Sequence, residues 1–183
     1  ASKSLYPMQD DTFKELFDRI WMHSLASAYC AKTLARQLSR KNPDNYFTIG
    51  LSHDIGKVMF LRFLGKTGWK STDDQELADI ATHLDEVNIT LSGVILRHWR
   101  LSREFVRAVT FQDGAMFDKF TSKSTLIIHT AGHLADNLGY SVGNPPTSMS
   151  SLKAVELLRL SPETLEAVGE EVTATIQGVA HTF

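Results

Sequence analysis

The stretch Phe47–Phe60, FTIGLSHDIGKVMF, places an adjacent His53-Asp54 pair between apolar residues and closes it with Gly56-Lys57. It carries no two-residue alternation, so a helical segment is expected from about Tyr46 to Leu64, with Gly50 and Gly56 as its weak points. Neighbouring side chains on a helix point about 100° apart. His53 and Asp54 therefore converge on one ion only at a helix end or kink, which the two glycines can supply. A hydrolytic metal site needs donors on separate elements and one open position for water. At least one more ligand must come from another helix.

Upstream, Phe13, Leu16, Phe17, Ile20, Trp21, Leu25, Ala28, Ala31, Leu34, Ala35 and Leu38 recur with helical period over residues 11–40. Asp10 or Asp11 can cap that helix, and Asn42-Pro43-Asp44 stops it. An antiparallel return from this turn brings the next helix alongside, and His23 in IWMHSLASA becomes the obvious partner for His53-Asp54. Downstream, STDDQELADIA reads as a capped helix. Helices follow from about Glu86 to His98, Arg103 to Gln112 after an N-cap at Ser102, and Thr121 to Leu138 before Gly139. GNPPTSMS is the clearest linker, followed by a helix through Leu160 and another opened by Ser161-Pro162. The expectation is an all-α, compact multi-helix bundle of about seven helices. Residues 1–10 form a tail, 11–142 the helical core, 143–150 a linker, and 151–183 C-terminal helices packed on the core.

Bulk properties narrow the classes. With 183 residues, 43% hydrophobic and 22% charged, the chain is long enough for one domain with a real core. A net charge of −2 and a pI near 6.4 argue against nucleic acid as a partner. No apolar run approaches the roughly 20 residues of a membrane span. The start, ASKSLYPMQDDT, has neither a signal-peptide core nor an initiating Met and looks trimmed. A single cysteine, Cys30, excludes a disulfide framework, suits a reducing cytosol and reads as a core residue rather than a nucleophile.

Taken in order, these segments resemble a known family. WMHSLASAYCAKTLA followed by FTIGLSHDIGKV is similar to the HDOD domain, a branch of the HD phosphohydrolase superfamily related to HD-GYP. EVNITLSGVILRHWRLSREFVRAV, LIIHTAGHLADNLGY and LRLSPETLEAV resemble its later helices, so the likeness runs from Asp10 to about Val172. The N-terminal helical half with its Asn-Ser motif is absent, which suggests a fragment or a shortened member. The resemblance implies a metal set of His, adjacent His-Asp and a distant Asp. His23, His53 and Asp54 match the first three, and the fourth falls at Gly132. Asn88 stands where a further His of the phosphodiesterase branch would be, and Gln112-Asp113 replaces a His-His pair. Asp136, four residues after Gly132, shares its face and is the one substitute, but its displacement by about 6 Å of helical rise exceeds the tolerance of metal coordination unless the helix slides or a water bridges.

The resemblance implies a bacterial, cytoplasmic, non-catalytic regulatory domain of the HDOD type. It would act in signal transduction through protein partners, or through a nucleotide or other phosphorylated ligand. The alternative is a metal-dependent phosphohydrolase or phosphodiesterase. There His23, His53 and Asp54 would hold a divalent ion (Fe, Mn, Mg or Zn), with Asp54 and Lys57 as the catalytic candidates and Lys57 positioning phosphate. Plainer readings stand beside both. His53-Asp54 can be a buried polar pair, Lys57 a solvated helix-end lysine, and Ser24 a packing residue. His129, His133 and Asp136, at i, i+4, i+7, read as an exposed polar face. His83 reads as solvated and His98 as flanking a core Trp99. Trp21, Phe47, Phe60, Phe63, Trp99, Phe105 and Phe111 read as core rather than a single-strand-binding stripe.

Overall fold

The computed structural model describes residues 13–68, 74–111, 114, 116–143 and 145–180. Among these the chain forms eight α-helices and no strand: α1 Lys14–Gln37, α2 Pro43–Ser52, α3 Ile55–Lys66, α4 Asp74–His98, α5 Arg103–Thr110, α6 Lys123–Ala135, α7 Lys153–Leu158 and α8 Pro162–Ala180. The expected all-α bundle is what the chain adopts. Three boundaries differ. The segment expected over Tyr46–Leu64 is two helices, parted at His53 and Asp54. The two helices expected between Ser71 and His98 are one helix of 25 residues, because no Gly or Pro interrupts Asp74–Ser92. Third, α6 ends at Ala135 and widens into a π-type turn, Asp136–Tyr140, containing Gly139 at φ 92°. The proposed Asp10 or Asp11 cap and the Gln112-Asp113 pair lie outside the described residues.

α1 is the spine. Its stripe of Ile20, Ala26, Ala28, Cys30, Ala31, Leu34 and Ala35 is fully buried. Small residues in that stripe let α2 return closely antiparallel after Asn42, at φ 52°, and Pro43 in the first turn. The approach is tightest at Gly50, where a Cβ would stand 2.8 Å from Cα of Ala28. α3 packs on α4 in the same way, since a Cβ on Gly56 would meet the Asn88 carbonyl at 2.5 Å. Those two glycines thus serve helix contact rather than a kink.

Ile127, Ile128, Ala131 and Leu134 of α6 fill the opposite side of α1, joined by Val155 and Leu158 of α7 and Val168, Val172 and Ile176 of α8. A smaller cluster of Phe13, Phe17 and Ile20 with Leu61 and Leu84 ties α1 to α3 and α4. Ser102, Ser122 and Ser161 cap α5, α6 and α8, their hydroxyls accepting from the backbone N–H three residues on; each such cap contributes about 1 kcal/mol.

The aromatic set is only partly interior. Phe63, Trp99 and Phe111 are 62%, 53% and 60% exposed, a correction to their reading as core. Phe63 lies on the outward face of α3, while Trp99 and Phe111 just follow the last turns of α4 and α5, where no helix covers them. His98, beside Trp99, is exposed, as is His83. Cys30 is buried and burial pushes its thiol pKa up, so it is no nucleophile. No helix among the described residues is long and apolar enough to cross a membrane.

Candidate metal centre

Where α2 ends and α3 begins, His53 is the last helical-geometry residue and Asp54 has φ −105° and ψ 17°. That break turns the two adjacent side chains toward one point, and α1 brings His23 to the same place. One ligand atom from each of His23, His53 and Asp54 lies within 4.8 Å of the other two, and all three residues are buried. Nε2 of His23 is 3.2 Å from Nε2 of His53. Asp54 offers Oδ2 at 3.7 Å from the first ring and Oδ1 at 3.6 Å from the second.

The outer nitrogens decide the character of the inner ones. Nδ1 of His53 lies 2.6 Å from the Gly50 carbonyl, which only accepts, so Nδ1 carries the hydrogen. Nδ1 of His23 meets the Tyr140 carbonyl at 3.0 Å and a carboxylate oxygen of Asp136 at 3.2 Å, so it too donates. With both rings neutral, two Nε2 lone pairs face each other, an arrangement that a shared proton or a metal ion would stabilise, and the Ser27 hydroxyl stands 3.4 Å from Nε2 of His23. Two nitrogens held at about 2.1 Å from one ion lie roughly 3.0–3.4 Å apart at octahedral or tetrahedral angles, a range that includes the observed spacing. Orientation of a ligating imidazole by a carbonyl or carboxylate on its other nitrogen is the usual arrangement at metal sites.

Electrostatics agree. Burial disfavours a charged His23, yet the Asp136 hydrogen bond and the Asp54 and Asp136 charges raise its pKa above the ordinary value. Burial pushes the His53 pKa below its ordinary value, against the pull of the Asp54 charge. Burial also opposes ionisation of Asp54, but His53, Lys57 and His23 outweigh it and hold the carboxyl well below its usual range. Oδ1 of Asp54 accepts from the Asn88 amide at 3.0 Å. Oδ2 has the Lys57 ammonium at 3.1 Å as an ion pair but no hydrogen-bond partner.

Lys57 is buried rather than solvated, a correction with a clear cause. The break before Ile55 starts α3 inside the protein, and Nζ is held between Asp54 and Asp85, 2.6 Å from the latter. Burial lowers its pKa, but these two carboxylates raise it further, so the ammonium persists. Asn88, at the position where the resemblance implies a further histidine, donates to the His53 carbonyl and to Asp54, and its own Oδ1 accepts from Ser92. It splints α4 to the break.

Gly132 faces His53. A Cβ on Gly132 would have a single neighbour within 4 Å, Nε2 of His53 at 3.8 Å. The residue that faces the site has no side chain to give. His129 and His133 are not an exposed face: His129 is 8% exposed, and Nδ1 of His133 is buried without a hydrogen-bond partner. α6 packs on α1 on one side and has Gly114 and Phe117 against His129 on another, and its polar stripe lines the cleft. Asp136 lines the cleft as well, its carboxylate 3.2 Å from Nδ1 of His23.

The cleft of about 310 Å³ is lined by carboxylates of Asp54, Asp85 and Asp136 and one ammonium, Lys57. Three carboxylates against one ammonium leave two negative charges when both imidazoles are neutral and one when His23 holds its proton, a deficit that a divalent cation would neutralise. Asp85 is the residue that sequence reading missed. Its signal was present, since Asp85, Asn88 and Ser92 form a polar i, i+3, i+7 stripe in α4. Ser24, also buried, makes no contribution to this cluster of ligating atoms.

A family model described as the HDOD domain matches residues 3–115, a span containing His23, His53, Asp54, Lys57, Asp85 and Asn88 and ending before Gly132 and Asp136. No curated protein and no solved structure matches the chain.

Proposed function

The chain belongs to the HDOD-domain family, and from that premise we propose that it is a non-catalytic regulatory domain that acts in signal transduction through protein contacts. One observation carries this reading: Lys57, the only Lys or Arg among the described cleft residues, is spent on Asp54 and Asp85. No free cation remains there to hold a phosphoryl group, and the uncompensated charge is negative. A nucleotide or other phosphorylated ligand would enter only together with a divalent cation. Large exposed apolar side chains supply surface for partners instead: Met59 and Phe63 on α3, and Val94, Trp99 and Leu101 around the end of α4. An apolar groove of about 890 Å³, lined by Leu134, Leu138, Val155, Leu160 and Leu165, adds to them. A bacterial, cytoplasmic setting belongs to the same proposal.

The test is turnover. The purified chain, loaded with manganese or iron, is expected to hydrolyse neither nucleotides nor generic phosphodiesters. Hydrolysis that disappears in Asp54→Ala would replace this reading with the second one, a metal-dependent phosphohydrolase.

That second reading is favoured by the facing Nε2 atoms of His23 and His53. In it, these nitrogens and Asp54 hold a divalent ion whose chemistry is to acidify a water and offset phosphoryl charge. Within the regulatory reading the same three residues hold the ion as a structural or ligand-gated clamp between α1 and the α2–α3 break.

A further inference from the structure

The position facing the site on α6, Gly132, has no side chain, yet one turn later the same helix sends a carboxylate inward. Asp136 does not reach the three ligating atoms. It lies on the far side of a ligand, 3.2 Å from Nδ1 of His23. Local backbone geometry puts it there. α6 widens at Asp136 into the π-type turn that ends at Tyr140, and that turn delivers two acceptors to one nitrogen, the Asp136 carboxylate and the Tyr140 carbonyl. Single π-type turns within helices recur at functional sites. A carboxylate–imidazole pair behind a metal fixes the ring orientation and makes the inner nitrogen a better donor.

We infer that Asp136 is the positioning residue of the metal centre: through Nδ1 of His23 it supplies the anionic charge that Gly132 cannot supply by ligation. The site is thereby a three-ligand centre with an outer carboxylate, and the place beside His53 Nε2 stays open. The inference rests on metal binding at His23, His53 and Asp54 and holds whether or not the chain is catalytic.

The experiment titrates manganese(II) alone into the full chain and into Asp136→Asn and Asp136→Glu, followed by calorimetry, with unfolding midpoints measured for each metal-free protein. Asp136→Asn keeps the size and removes the charge, and a roughly 10–100-fold weaker manganese affinity is expected. Asp136→Glu, which keeps the charge, is expected to recover most of it, at unfolding midpoints close to wild type. In nitrogen-15 spectra of the metal-free chain, Asp136→Asn is expected to move the His23 Nδ1 resonance and leave His53 in place. Equal affinity of wild type and Asp136→Asn overturns the inference alone. Equal loss in Asp136→Asn and Asp136→Glu with lowered midpoints also overturns it, in favour of a packing role. No manganese binding by the wild-type chain overturns the metal centre itself, and this inference with it.

Discussion

Nε2 of His23 and Nε2 of His53 stand 3.2 Å apart, while the Nδ1 atoms of both rings are committed as donors to other groups. Two lone pairs at that separation repel, and a proton or a metal ion between them would stabilise the pair, so the two rings are a candidate site at which proton and metal compete.

Manganese(II) is accordingly expected to bind the chain at one site and to lose that binding in His53→Ala. A ligand at a hundredfold excess over its Kd adds about 2.7 kcal/mol of stability. For a domain of this size that raises the melting temperature by roughly 5–10 °C. Differential scanning fluorimetry with and without manganese checks it, and a wild-type shift equal to that of His53→Ala would count against the site.

In the metal-free chain, pH acts with opposite signs on two residues. The Asp54 carboxyl is depressed in the fold, so its stabilisation is fully present above its unfolded value of about 3.9 and is lost as pH falls below it. The His23 pKa is raised, so its stabilisation is fully present below its unfolded value of about 6.5 and is lost as pH rises through the folded one. His53 and His133, whose pKa values are lowered, oppose His23 by withdrawing stability as pH falls below about 6.5, so the expected net effect is the acid limb: stability falls as pH drops below about 4. Urea unfolding across pH would show this, with the acid limb flattened in Asp54→Asn. Manganese affinity should also weaken as pH falls, because the ion displaces the His23 proton.

Lys57→Met leaves the buried Asp54 charge without its ammonium. A loss of about 3–5 kcal/mol is expected. Lys57→Met combined with Asp54→Asn should lose clearly less than the sum of the two single variants, since the charge left unpaired is then gone. Denaturant midpoints of the four proteins measure the coupling, and additive losses would mean that the pair does not act as one unit.

Gly50→Ala and Gly56→Ala drive a methyl to within 2.8 Å and 2.5 Å of backbone atoms on α1 and α4. Each should destabilise by about 1–3 kcal/mol. Both should also weaken manganese binding, because the helix contacts they open are those that aim His53 and Asp54. Unchanged melting temperature with unchanged affinity would refute this account of the glycines.

Gly132→Asp is the opposite kind of change. The space beside it holds only His53 Nε2 within 4 Å, so the carboxylate is accommodated. Manganese affinity should rise by at least about tenfold through the added ligand. Calorimetry decides, and an unaltered Kd would mean that position 132 does not address the ion.

Much of this was legible before folding. The helical period around Ile20–Leu34 gave the spine, Asn42-Pro43 its stop, and the His53-Asp54 pair could serve one ion only at a break, which is where α2 gives way to α3. What misled was the step from pattern to exposure. A lysine two residues into a helix reads as solvated, and His129, His133 and Asp136 at helical spacing read as a wet face. Neither reading can register a second helix bringing Asp85 to the lysine, or α1 and Phe117 packing against α6.

The sequence by itself determined the all-α class and the family and pointed to the three residues of the candidate metal site, because period, punctuation and residue type are local properties that the chain carries unfolded. Only the tertiary structure decided which nitrogen of each histidine faces inward, that Lys57 is neutralised, and that Asp136 backs His23. Those depend on distances of a few ångströms between helices far apart in the chain, and at that range hydrogen-bond direction and burial, not composition, set the charge of every group.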